Sequence, residues 1–258
     1  MEQTGKTVLI TGAAGTIGRA AAAAFYRAGA SLALVDVDRD RLAQMAAEEG
    51  FGPRALLLAA DVTREEDVAG YVRQTVERFG SIDVFHNNAG VTGARGPITE
   101  MDADRFRRLL DINVTGILLG LKHVLRQMYA QGSGAVVNTA SHKGRLCAAG
   151  SGDYAASKAA VIMLTKAAAL EAAPHGVRVN CVMPGIVRSE MILSRRRQQS
   201  PGLTDGEIEQ AAAGAIPLGR WCTPEEVADA VMYLASDRAA YLTGTELRLD
   251  GGTTAAYL

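Results

Sequence analysis

Tyr154-Ala-Ala-Ser-Lys158 sets a phenol and an ammonium four residues apart, a spacing that brings both onto one face of a helix. Tyrosine titrates near ~10 unperturbed and is a poor base at neutral pH. A positive charge beside it favours the phenolate and draws it toward a useful range. Ser141, just past the apolar run 135–139, adds a hydroxyl, and Asn113, inside a long helical stretch, adds an amide. One crevice could bring all four groups together, and that set suits proton transfer at an oxygen atom. His142 follows Ser141 and could touch a substrate or sit at the rim of its site. Cys147, between Ser141 and Tyr154, reads as a pocket wall rather than a nucleophile.

A scaffold must hold these groups, and the apolar periodicity outlines it. Residues 6–11 form a short apolar strand, followed by a glycine-rich turn and a helical run, 19–28, that Gly29 stops. Residues 31–36 are nearly all apolar, as in a parallel strand covered on both faces. The cycle then repeats. Strands at 55–59, 82–86, 135–139, 177–182 and 246–249 alternate with helices at 65–79, 102–130, from about 153 to Pro174, and 224–235. That alternation predicts right-handed crossovers and an α/β fold, a doubly wound parallel sheet of about seven strands with helices on both faces. No linker, repeat or composition shift divides the 258 residues, so one domain spanning 1–258 is expected. The long irregular stretch 188–220 reads as a substrate lid.

In such a sheet, ligands bind beyond the carboxyl ends of the strands. The turn Thr11-Gly12-Ala13-Ala14-Gly15-Thr16-Ile17-Gly18 lies there and feeds a helix. Its glycines allow close approach of a pyrophosphate, and the helix N-terminus offers unpaired N–H groups and partial positive charge. Asp36 ends the second strand, where a carboxylate can accept hydrogen bonds from an adenosine ribose. A phosphate on that ribose would meet its charge, so NAD(H) is expected over NADP(H). The turn carries no cation, and Asp38 and Asp40 are placed to offset Arg39 and Arg41.

Composition removes other classes. A net charge of −1 offers nothing to a phosphate backbone, and Arg195-Arg196-Arg197 is too short a basic run to change that. Cys147, Cys181 and Cys222 are odd in number and widely spaced, which suits free thiols and predicts neither metal nor a disulfide framework. No stretch has the apolar length of a membrane span, and the N-terminal apolar run is too short for a signal peptide, so a cytoplasmic protein is expected.

Taken together these motifs resemble the single-domain branch of the short-chain dehydrogenase/reductase family, with its Rossmann-type fold, over nearly the whole chain. The glycine turn, Asn87-Asn88-Ala89-Gly90, Asn113 in Asp-Ile-Asn-Val, Ser141 in Asn-Thr-Ala-Ser, Tyr154 and Lys158, Pro184-Gly185, Pro217-Leu-Gly-Arg220 and Asp250-Gly-Gly252 stand in the family's order. One departure is Thr16, where the family has its middle turn glycine. A β-branched residue resists positive φ, so either the loop path differs or Gly15 takes the strained angle.

The resemblance implies a division of labour. Tyr154 is the acid/base, and Ser141 holds the substrate oxygen. Lys158 lowers the tyrosine pKa and grips the nicotinamide ribose, and Asn113 holds a water in a proton relay. Gly12, Gly15, Thr16, Ile17, Gly18, Asp36, Asp61, Val62, Asn88, Ala89, Gly90, Pro184, Gly185, Val187 and Ser189 line the nucleotide site together with Tyr154 and Lys158. Ser189 stands for the family's usual threonine and keeps its hydroxyl, and Asp61 and Val62 pair with the adenine edge. His142, Ile186 and Met191 are candidate substrate contacts. The apolar residues around the lid suit a cyclic or medium-sized secondary alcohol, though they could equally be core contacts of a lid helix. The implied activity is interconversion of such an alcohol and its ketone by an NAD-dependent homotetramer. Two alternatives stand beside it: a 3-oxoacyl carrier-protein reductase, and a non-catalytic nucleotide-sensing member of the fold.

Overall fold

The computed structural model describes residues 2–255, without the side chains of Met191, Arg195, Gln198 and Gln199. Seven strands form one sheet: β1 (Thr7–Thr11), β2 (Ser31–Asp36), β3 (Ala55–Ala59), β4 (Val84–Asn87), β5 (Gly134–Thr139), β6 (Val177–Pro184) and β7 (Glu246–Leu249). Every pairing is parallel, in the order β3-β2-β1-β4-β5-β6-β7. The chain therefore winds outward one way from β1 and, after β3, returns to wind the other way from β4. Strand order reverses between β1 and β4, which is where such sheets open a ligand crevice.

The strands read as apolar runs because both faces are covered. One face carries α1 (Thr16–Arg27), α2 (Arg39–Glu48) and α9 (Pro224–Ala235), around a core that includes Val8, Ile10, Phe25, Leu34 and Val231. The other carries α3 (Glu65–Phe79), α5 (Gly116–Gln131) and α6 (Gly152–Ala172), around Leu9, Tyr71, Phe85, Val124 and Val161. Gly29 follows α1 with φ +97°, the left-handed stop expected there. Thr223 and Glu226 form a reciprocal capping box on α9, with Pro224 in its first turn. No helix among the described residues is long and apolar enough to cross a membrane.

Two expectations change. The helix expected over 102–130 is α4 (Ala103–Leu110), then a π turn (Asp111–Thr115), then α5. In the π turn the Gly116 N–H reaches back to the Asp111 carbonyl, and the extra residue in the ring carries Asn113 inward. The stretch expected to be irregular, 188–220, holds two helices, α7 (Glu190–Gln199) and α8 (Asp205–Ala213). They pack Leu193, Ile208, Ala213 and Ile216 around Trp221 as a small core of their own. The Arg196 guanidinium lies over the Trp221 ring, 5.5 Å from its centroid. Ion pairs from Arg197 to Asp205 and from Arg188 to Glu209 bind the unit together.

Candidate functional site

The first turn of α1 begins directly beneath the end of β1. Gly12 sits at φ +63°, and a Cβ there would stand 2.9 Å from the Ala89 Cα on the neighbouring strand end. Gly18 packs behind the turn, where a Cβ would land on the Gly12 carbonyl oxygen. The departure at Thr16 resolves without strain. Gly15 is the N-cap at φ −75°, not a left-handed residue, and no non-glycine described has positive φ. Thr16 is simply the first helical residue. The Arg19 N–H bonds the Gly15 carbonyl at 2.8 Å, so the amides of Thr16, Ile17 and Gly18 precede the helical ladder. No acidic side chain occupies that first turn.

Asp36 stands beside the turn. Its carboxylate accepts from the Ala14 N–H at 3.0 Å and the Asp38 N–H at 3.2 Å. At the end of β3, Asp61 accepts from the Thr63 N–H and hydroxyl at 2.9 and 2.7 Å, with the Arg108 guanidinium 3.9 Å away. Burial pushes its carboxyl up, but the Thr63 bonds and the nearby arginines outweigh it and hold the group below its ordinary range. The Val62 side chain fills the space above Gly116, where a Cβ would meet it at 2.9 Å.

After β4, the Asn88 and Ala89 N–H groups both donate to the Thr11 hydroxyl, at 3.0 and 3.1 Å. The Asn88 amide donates to the Thr11 and Gly12 carbonyls at 3.1 and 3.3 Å. Asn113 is wholly buried behind this segment. Its side chain accepts from the Val91 N–H at 2.8 Å and donates to the Val91 carbonyl and the Ser157 hydroxyl at 2.9 and 3.1 Å.

At the other end, Tyr154 and Lys158 occupy successive turns of α6, with the ammonium 5.7 Å from the phenol ring centroid. Burial raises the Tyr154 phenol above its ordinary value, and the hydrogen bond with Ser141 only partly opposes this. Lys158 is buried and pushed down to about 8 by desolvation. The ammonium donates to the Thr139 carbonyl at 2.9 Å, and burial is the largest influence on both groups, raising the phenol and lowering the lysine. Ser141 accepts from the Lys143 N–H at 3.2 Å and donates to the Pro184 carbonyl at 3.4 Å. His142 also donates to that carbonyl, through Nδ1 at 3.0 Å, and burial holds its imidazole below the usual value.

One cavity of about 600 Å³ runs between these ends. Gly12, Gly15, Thr16, Ile17, Asp36, Asp61, Val62, Asn88, Ala89, Gly90, Ser141, Tyr154, Lys158, Pro184, Gly185, Val187 and Ser189 all line it. Gly18, Asn113 and His142 do not; the first two pack behind its wall. Ile186 lines a different cavity, of about 340 Å³, with Leu218 and Asp250. The Met191 side chain lies outside the described residues, and Ile192 lines the main cavity instead. The Ser189 hydroxyl caps α7 by accepting from the Ile192 N–H at 3.4 Å. Cys147 is exposed. Sequence alone assigned no role to the hydroxyls of Thr11 and Thr139, which tie strand ends together, or to Arg108, which lines the cavity with Arg41. The position of each threonine at the last residue of an apolar strand was the available signal.

Comparison with known proteins agrees with this geometry. A family model described as "Enoyl-(Acyl carrier protein) reductase" matches residues 12–254. Cis-4-hydroxycyclohexanecarboxylate dehydrogenase of Sinomonas cyclohexanicum is 39% identical over 250 residues, 97% of each chain. The crystal structure of levodione reductase superposes with a TM-score of 0.93 at 38% identity, covering 98% of this chain and 99% of that one. NAD+-bound xylitol dehydrogenase superposes at 0.90 with 37% identity, covering 98% and 100%. On the strength of these full-length matches, the chain belongs to the short-chain dehydrogenase/reductase family.

Proposed function

We propose that this protein interconverts a secondary alcohol, cyclic or medium-sized, and its ketone, using NAD(H). The observation that carries the reading is that Ser141, Tyr154 and the buried Lys158 line one end of a cavity whose other end is the Gly12 turn and Asp36. The residues present fit the nucleotide. The Gly12 turn leaves no room for a Cβ against Ala89, the first amides of α1 are available to a pyrophosphate, and Asp36 stands where a ribose would place its hydroxyls. When bound, the nicotinamide ring supplies the hydride acceptor or donor.

The chain's own residues do the rest. The Ser141 hydroxyl and the Tyr154 phenol together grip one substrate oxygen. Tyr154 takes the proton from that oxygen in oxidation and returns it in reduction. Lys158, anchored on the Thr139 carbonyl, places a positive charge next to the phenol as it ionises. Asn113, tied to Val91 and Ser157, fixes the π turn against the catalytic helix. The wall near α7 is apolar through Val187 and Ile192, and α7–α8 with their small core act as the lid. The named relatives act on a hydroxycyclohexane carboxylate, levodione and xylitol, which favours carbonyl/hydroxyl chemistry over the carrier-protein reduction in the family description.

A homotetramer and a cytoplasmic location complete the proposal. On α6, Ala168, Ala169 and Ala172 face the sheet, while Ala159, Met163, Ala167 and Leu170 are exposed. Leu118 on α5 is exposed as well. Small side chains between exposed apolar ones allow another copy's helices to approach closely.

The test is a panel of cyclic polyols, sugars, hydroxysteroids and aliphatic secondary alcohols with NAD at alkaline pH, read by NADH absorbance. Turnover of a cyclic or medium-sized secondary alcohol is expected. Nucleotide binding without turnover of any alcohol, or of the matching ketones with NADH, would overturn the catalytic reading.

A further inference from the structure

His86 lies near the end of β4, between β1 and β5, with no exposed surface. A buried imidazole costs free energy unless its ring atoms are bonded. Only one is: Nε2 lies 3.0 Å from the Thr139 hydroxyl, while Nδ1 is buried without a partner. Burial pushes the ring down to about 3, so it is neutral at physiological pH. An apolar residue would pack this spot at lower cost, so the retained contact calls for an explanation.

The direction of that contact follows from counting protons. The Thr139 hydroxyl donates its single proton to the Asn88 side-chain carbonyl at 3.0 Å. It must therefore accept from His86, which places the imidazole proton on Nε2. A donor on the Asn88 carbonyl oxygen in turn fixes which way that amide faces, with its nitrogen toward the Thr11 and Gly12 carbonyls at 3.1 and 3.3 Å. A flipped amide would set oxygen against two oxygens. Thr139 has a second duty, because its backbone carbonyl holds Lys158 at 2.9 Å. One relay thus runs from His86 through Thr139 and Asn88 to the turn residue held at positive φ.

We propose that His86 is a positioning residue for the nucleotide: its Nε2–H orients the Thr139 hydroxyl, which locks the Asn88 amide against the Gly12 turn. The inference rests on the NAD(H) reading above. It makes a discriminating demand on substitutions. The amide nitrogen of glutamine reaches the position of Nε2 and can donate to Thr139. The asparagine amide stops short of it, and leucine has no donor.

NADH affinity, measured by enhancement of nucleotide fluorescence without alcohol present, tests this directly. His86→Asn and His86→Leu should weaken NADH binding roughly tenfold, equivalent to about 1.4 kcal/mol, while His86→Gln stays within about twofold of the native protein. The KM for alcohol should change less than about twofold in the glutamine and asparagine variants. In a Thr139→Val background, His86→Asn should add no further loss. Equal NADH affinities for the glutamine and asparagine variants would overturn the inference alone, and that pair suffices should the leucine variant not fold. A native protein that binds no NADH would overturn the nucleotide reading and this inference with it.

Discussion

The Lys158 ammonium donates to the backbone carbonyl of Thr139 at 2.9 Å. An ammonium on the second turn of α6 is thereby stitched to the end of β5, 19 residues away in sequence. The bond explains how a cation survives complete burial. Desolvation nonetheless makes the lysine an energetic burden in the nucleotide-free protein, which leads to the first prediction.

Desolvation takes Lys158 from 10.5 to about 8, which at ~1.4 kcal/mol per pH unit is a cost on the order of 3 kcal/mol. Below about pH 8 folded and unfolded chains are both protonated there, and the cost is fully present. Between about 8 and 10.5 the unfolded chain binds more protons, so this group's contribution to stability rises with pH. Lys158→Met should therefore stabilise the nucleotide-free protein at pH 7, and its advantage should shrink as pH approaches 10.5. Denaturant unfolding at pH 7 and pH 9.5 measures this. A native–variant difference that stays constant with pH would refute it.

Tyr154→Phe should remove the proton-transfer group and little else. Turnover should fall by roughly two to four decades, with NADH affinity within a few-fold of native. Lys158→Ala should impair both, since its anchor at Thr139 lies between the nucleotide turn and the phenol. Steady-state rates and NADH titrations on the two variants separate these outcomes. A phenylalanine variant retaining a tenth of native turnover would show that another group moves the proton.

Asp36 should enforce NAD over NADP. Two unit charges at ~4 Å repel by ~1 kcal/mol in water and by ~4 kcal/mol at an effective dielectric near 20. That is roughly one to three decades in affinity. Arg41 lines the same cavity, so Asp36→Ala should do more than remove repulsion, leaving a cation near the added phosphate. The ratio of kcat/KM with NAD to that with NADP should fall at least tenfold in the variant. An unchanged ratio would show that Asp36 does not face the ribose.

Leu170 is 80% exposed and Met163 61% exposed on the outer face of α6. Leu170→Glu combined with Met163→Glu should leave the sheet-facing core untouched and break the proposed tetramer. Sedimentation velocity at micromolar concentration should show the native protein as a tetramer and the double variant as a smaller species. A native monomer would remove the proposal.

What the amino-acid sequence determined by itself was local and periodic. Strand and helix periods, a glycine turn between a strand and a helix, and Tyr154 and Lys158 one helical turn apart are short-range patterns, so they were legible without any partner in space. Helices α7 and α8 were partly legible. Thr204 with Glu207 three residues on is a capping box, but α7 is too rich in arginine and glutamine to show an apolar stripe. The π turn escaped because a single extra residue in a helical ring leaves the surrounding periodicity intact, although it is what buries Asn113. Tertiary structure alone decided the relay from His86 to Gly12. It depends on the register that sets His86 beside Ile10 on one side and Val137 on the other, and no spacing along the chain encodes that register. Nor could the sequence say that Tyr154 is raised and Lys158 lowered, because desolvation depends on what covers a group, and here α6, β5 and the neighbouring strand ends close over both.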